Sequence, residues 1–131
     1  MEKFSNSIST LTRKNGFVKI TMTIIGEVDE EHMKQHIANC MKFSKDRKEK
    51  DLVIFDMRDI NSVTTAAVRR IINSAEIKKI TKATAILTIS PTLRVQLILT
   101  AILNLKKPPY PMNIFSNEDK AKAWLRQIES E

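Results

Sequence analysis

Leu52 to Met57, LVIFDM, is apolar except for Asp56 and is bounded by charge: the run KDRKEKD (Lys45–Asp51) before it and Arg58-Asp59 after it. A short, continuous apolar run of this kind suits a strand covered on both faces, so the chain is expected to place layers on either side of a sheet. The polar turn Ser62-Val63-Thr64-Thr65 follows. Ala67, Val68, Ile71, Ile72, Ala75 and Ile77 then recur at a helical period through Lys79. Thr64 or Thr65 is suited to cap that helix, because a hydroxyl at this place accepts from a free backbone amide. This strand–turn–helix junction is the centre around which the remaining segments can be placed.

Residues 1–16 are weakly patterned and are expected to form an edge strand, through Phe4, Ile8 and Leu11, or a flexible segment. Asn15-Gly16 is a strong hairpin signal. Val18, Ile20, Met22 and Ile24 alternate as one face of a strand that Gly26 ends. Asp29 is the expected cap of a helix with Glu30 and Glu31 in its first turn and Met33, Ile37, Cys40 and Met41 on its apolar side. A second apolar strand is expected over Thr84–Ile89. Ser90-Pro91 then opens an unusually apolar helix over Thr92–Leu105, stopped by Lys106-Lys107-Pro108-Pro109. Met112–Phe115 reads as the last strand. Ser116 with Asp119 resembles a capping box before a helix over Glu118–Ile128. The order β-β-α-β-α-β-α-β-α predicts an α/β fold: one domain over residues 1–131 with its core in about 17–129, a mixed, mostly parallel sheet, an N-terminal β-hairpin and about four helices.

Composition excludes several functions. A glycine-rich phosphate cradle cannot be built from two glycines, and neither nucleotide-binding fingerprint is present. One cysteine allows no internal disulfide, which suits a reducing compartment. No apolar run has the length of a membrane span and the first residues lack a secretory h-region, so a cytoplasmic location is expected. The net charge of +7 is scattered over the chain and aromatics are few, so a solvated basic surface is favoured over a nucleic-acid site.

No residue set reads as catalytic, cofactor-binding or metal-binding. Asp56 and Asp59 stand where ligands sit in open α/β sheets, beyond a strand's carboxyl end, but a turn-orienting Asp56 and an Asp59 paired with Arg58 or solvent are favoured. His32 and His36 lack further metal ligands, and an exposed or cap-proximal pair is expected. Cys40 occupies an apolar-period position and reads as a core thiol; a nucleophilic pair with His36 is disfavoured. Ser62, Thr64 and Thr65 are hydroxyls at a helix N-terminus, where an added phosphate is stabilised by the dipole and free amides.

With its strand ending in aspartate, short loop and hydroxyl-rich helix opening, the junction resembles the STAS family, the anti-sigma-factor antagonist-like (SpoIIAA-like) domains. Ile89-Ser90-Pro91 with its leucine-rich helix, and IFSNEDKAKAWL (Ile114–Leu125), are similar to the family's later segments. The resemblance covers roughly residues 17–129 and implies a non-enzymatic regulatory module whose partner is a protein such as an anti-sigma factor or kinase. The family's Asp-Ser-Ser/Thr-Gly-Leu motif falls on Thr64, Thr65, Ala66, Ala67 and Val68, so Ala66 occupies the usual phosphoacceptor position. Thr65 and Thr64 are the remaining candidate phosphoacceptors, and a constitutive scaffold is favoured. The expected docking surface is the Arg58–Thr65 loop, with Asp56 and Asp59 beside it, and the helix face carrying Arg69, Arg70, Asn73 and Glu76. The alternative is a carrier of an apolar ligand, or a membrane-surface contact, using the Thr92–Leu105 helix. That helix would also serve a homodimer.

Overall fold

The computed structural model describes residues 2–24, 26–95, 97 and 110–131. Six strands form the main sheet: β1 (Glu2–Ser5), β2 (Ser9–Lys14), β3 (Phe17–Met22), β5 (Asp51–Asp56), β7 (Thr81–Leu87) and β8 (Met112–Phe115), in that spatial order. The first three run antiparallel, and β3, β5, β7 and β8 are parallel. Two-residue strands β4 (Glu27–Val28) and β6 (Ser62–Val63) pair in parallel as a separate small ladder. The helices are α1 (Glu30–Phe43), α2 (Thr65–Ile72), α3 (Ala75–Ile80), α4 (described residues 91–95 and 97) and α5 (Glu118–Glu129).

β5 lies between β3 and β7 and is buried from Asp51 to Phe55. Its side chains alternate between two cores, as strand geometry requires. Val53 and Phe55 join β3's Val18, Ile20 and Met22 under α1–α4, whereas Leu52 and Ile54 join Phe17 under α5. β7 meets α5 through Ala83 and Ala85, both fully buried against Ala121 and Leu125. Small residues there allow the helix close to the sheet, so the α5 layer is thin and tightly packed.

The Asn15-Gly16 turn has both residues at positive φ, 55° and 86°, the geometry a two-residue hairpin needs to match the twist of its strands. The N-terminal segment is two strands, with the edge strand β1 added outside β2.

Several expected boundaries shift. The helix expected from Thr65 to Lys79 is two helices, because Ser74 Oγ accepts from Ile77 N at 3.2 Å and starts α3 afresh after Asn73 closes α2. The second apolar strand starts earlier, at Thr81, and stops at Leu87, leaving Ile89 67% exposed. The cap of α5 is Asn117, whose Oδ1 accepts from Lys120 N at 3.1 Å, and not Ser116. Ser90 does cap α4, accepting from Leu93 N at 3.1 Å. Most of the Thr92–Leu105 helix, and the homodimer and membrane contact expected of it, lies outside the described residues. Among the described residues no helix is long and apolar enough to cross a membrane.

Candidate functional site

The carboxyl ends of β3, β5 and β7 carry the loop from Met57 to Asn61 and open directly into β6 and α2. Main-chain bonds hold this loop: Met57 N donates to Leu87 O at 2.8 Å, Ile60 N to Met57 O at 3.1 Å, and Thr64 N to Val28 O at 2.9 Å. Met57, Ile60 and Val63 are buried anchors. The loop's polar residues are therefore held on a rigid frame.

Asp56 is fully engaged. Its Oδ1 accepts from the Arg58 backbone N at 3.1 Å and from Arg58 Nε at 2.9 Å; its Oδ2 accepts from Arg58 Nη2 at 2.7 Å. Lys19 Nζ lies 3.8 Å from Oδ2. Glu118, at the start of α5, joins from the far end of the chain, with Lys19 Nζ at 2.7 Å, Arg58 Nη2 at 3.4 Å and Lys122 Nζ at 3.1 Å. Partial burial opposes ionisation of Asp56, but the hydrogen bonds from Arg58 and the charges of Arg58 and Lys19 outweigh it and hold its carboxyl below the ordinary value. The hydrogen bonds and charges of Lys19 and Lys122 lower Glu118 in the same direction despite its own partial burial. The hydrogen bond to Asp56 raises Arg58. A carboxylate already holding three hydrogen bonds and two cations is suited to fastening the turn. Asp59 is exposed; its charge acts on Arg58, but the direct ion pair of Arg58 is with Asp56. The two aspartates do not form an acidic pair. Among the described residues no group of three His, Cys, Asp or Glu side chains is arranged to hold a metal ion.

The hydroxyls divide by role. Ser62 Oγ donates to Glu27 Oε2 at 2.9 Å across the small ladder. Thr64 caps α2: its backbone is extended, and its Oγ1 accepts from Ala67 N at 3.1 Å. Thr65 and Ala66 are exposed, while Ala67 and Val68 are buried. Ala66, Arg69, Arg70 and Asn73 recur at i, i+3, i+4 and i+7 and therefore share one face of α2. That face lines an open groove against α1, with Glu30 on the opposite wall. Arg70 Nη2 pairs with Glu30 Oε1 at 3.2 Å; Arg69 is exposed and has no ion pair among the described residues. No acidic side chain occupies the first turn of α2, so its positive dipole end is uncompensated there.

His36 departs from the expectation of an exposed or cap-proximal pair. His32 is cap-proximal, since its ring accepts from Asp29 N while its own N donates to Asp29. His36 is completely buried, with Nδ1 2.9 Å from Ser9 Oγ, Nε2 3.3 Å from Cys40 Sγ, and its ring edge-on to Phe55. Burial lowers its pKa to about 4 and pushes the Cys40 thiol up to about 12. At neutral pH the pair is an uncharged imidazole and a protonated thiol, which is not a nucleophile. Asn39 Nδ2 bridges Ser9 Oγ at 2.9 Å and Asn6 Oδ1 at 3.0 Å, extending a buried polar string from α1 to the N-terminal strands. The spacing Met33, His36, Ile37, Cys40 already places His36 on the apolar stripe, and that was the available signal. Lys19, Glu118 and Lys122 had none, because they meet only through the fold.

Two solved structures share this architecture. An uncharacterized protein of the DUF3478 family with a SpoIIAA-like fold, from Shewanella loihica PV-4, is 14% identical, with a TM-score of 0.60 over 93% of this chain and 98% of that one. The anti-sigma factor antagonist SpoIIAA in its unphosphorylated form is 18% identical, with a TM-score of 0.54 over 90% and 97% of the two chains. At these identities the likeness is one of fold, and this chain has the SpoIIAA-like fold. No curated protein matches the sequence. The family model that matches, over residues 11–129, is a domain of unknown function, and the chain belongs to that family, DUF7793.

Proposed function

We propose that the protein is a non-enzymatic interaction module that presents a constitutive docking surface at the start of α2. The observation that carries this reading is the exposed stripe Thr65, Ala66 and Arg69, with an arginine that has no ion pair among the described residues beside an open groove, on a helix whose cap is already satisfied. A solvent-facing helix end with an exposed arginine suits an acidic patch on a partner protein, where complementary charge steers encounter and fixes register. Ile89, exposed in the loop after β7 at the same end of the sheet, adds an apolar contact. The likeness to the anti-sigma factor antagonist SpoIIAA supports a protein partner, of the anti-sigma-factor or kinase kind that the sequence resemblance implies. By the sequence resemblance, Ala66 stands at the STAS family's usual phosphoacceptor position and carries no hydroxyl. Thr64 spends its hydroxyl on the cap, and Thr65 remains as the exposed hydroxyl of the motif, four residues before Arg69.

A photo-crosslinking residue at Ala66 tests the surface directly. In the native cells it is expected to capture a discrete protein, and the same probe at Gln127, on the opposite side of the sheet, is not. Arg69→Glu is expected to lower the Ala66 yield by about tenfold, as loss of a close interfacial charge pair would. Equal capture from both positions, or a yield indifferent to Arg69→Glu, removes this face as the docking site. Intact-mass measurement of the same material is expected to show unmodified Thr64 and Thr65.

A further inference from the structure

The helical face of the sheet holds a cavity of about 350 Å3 between the strands and α1–α4. This lies within the size range of small-molecule pockets. Its deep wall is apolar and buried, built from Leu11, Met33, Phe55, Val68, Ile86 and Leu97. Ile71, Ile72, Ile80, Met112 and Ile114 line it with partial exposure, and Asn113 and Arg94 are its exposed polar residues.

Several of the buried polar groups that reach this space are already bonded. His36 is bonded to Ser9 and Cys40, Tyr110 to Thr84, and Ser44 Oγ donates to Asp51 Oδ2 at 2.9 Å. A space lined in this way offers water few partners and favours an apolar guest. One described lining residue is cationic. Arg94, on the first turn of α4, is exposed and has neither a hydrogen bond nor an ion pair from its side chain among the described residues. A guanidinium at the border of an apolar space is suited to hold a carboxylate in a two-pronged contact.

We infer that this cavity binds a long-chain carboxylate, with the hydrocarbon chain against Met33, Phe55 and Val68 and the head group on Arg94. A methylene takes about the volume of a water molecule, roughly 30 Å3, so the space accommodates a chain of about ten or more carbons. The site lies on the buried side of α2, behind Ile71 and Ile72, whereas the proposed docking stripe is on that helix's outer side. Loss of one therefore leaves the other measurable.

The test titrates the delipidated full chain with 1-anilinonaphthalene-8-sulfonate, a fluorescent apolar probe small enough for the space, and displaces it with dodecanoate or dodecanol. Saturable binding at one site per chain is expected, with dodecanoate displacing the probe at least about tenfold more strongly than dodecanol, the difference one charge-assisted contact makes. Arg94→Glu alters an exposed side chain and is expected to fold normally while erasing the preference for dodecanoate. Ile71→Trp fills the space and is expected to abolish binding, with circular dichroism reporting whether it folds. Absence of saturable binding overturns the inference. So does equal displacement by the alcohol, or a preference that survives Arg94→Glu. Sedimentation with phosphatidylglycerol vesicles, or self-association, in protein that ignores dodecanoate assigns the apolar face to a membrane or a second copy and likewise overturns it.

Discussion

Asp56, at the end of β5, combines a near neighbour with a partner from another strand. Asp56 is held by Arg58 and Lys19, and Glu118 by Lys19 and Lys122, so these carboxylates fasten β3, β5 and α5 together. A turn-orienting role for Asp56 was readable from its place after a strand; the identity of its partners was not, because Lys19 and Glu118 are 99 residues apart. His36 allows a sharper test. In the unfolded chain it takes up a proton below its ordinary value of 6.5, whereas in the fold it stays neutral down to about 4. The folded form binds fewer protons across that window, so this contribution is fully present above 6.5 and is lost as pH falls from 6.5 towards 4. A shift of that size corresponds to about 3 kcal/mol. Between pH 7 and pH 4 the urea-unfolding free energy of the wild type is expected to fall by about 3 kcal/mol more than that of His36→Leu. Parallel pH profiles would show that His36 is not buried in its neutral form.

Element by element, the long, strongly patterned segments were legible and the short ones were not. β5 announced itself by its apolar run, β3 by alternation, and α1 by Asp29 followed by two glutamates. β4 and β6 are two residues each, too short for any period, and they exist because Val28 O meets Thr64 N across the chain. The break between α2 and α3 was hidden because the apolar period runs through it, while a local competitor, the Ser74 hydroxyl, claims the Ile77 amide. The junction's two threonines give the element-scale prediction. Thr64→Ala removes the cap of α2 and is expected to cost about 1 kcal/mol of stability. Thr65→Ala, at an exposed first-turn position, is expected to change stability by less than about 0.5 kcal/mol. Chemical denaturation of the two variants compares them directly, and an equal cost would mean that Thr64 does not act as the cap.

Across the whole molecule, the sheet is the part that every other segment reports to. β3, β5 and β7 are covered on both faces, whereas β1 is an edge strand with mostly exposed side chains. Backbone amides of β5 and β7 are therefore expected to exchange hydrogen slowest and those of β1 fastest, since local opening needs least disruption where few apolar contacts must break. Hydrogen exchange read by mass spectrometry checks the order, and fast exchange in β5 would contradict its central place. The α/β class, the hairpin at Asn15-Gly16, the buried central strand and the exposed helix stripe at Ala66 and Arg69 follow from local pattern. Each depends on periodicity, β-branching or a positive-φ turn that neighbouring residues specify by themselves. The engagement of Asp56 and Glu118, the complete burial of His36, the cavity under α1–α4 and the place of Arg94 beside it were decided only in three dimensions. They depend on which faces meet across crossovers tens of residues long, and no local spacing encodes the volume left between a sheet and the helices laid upon it.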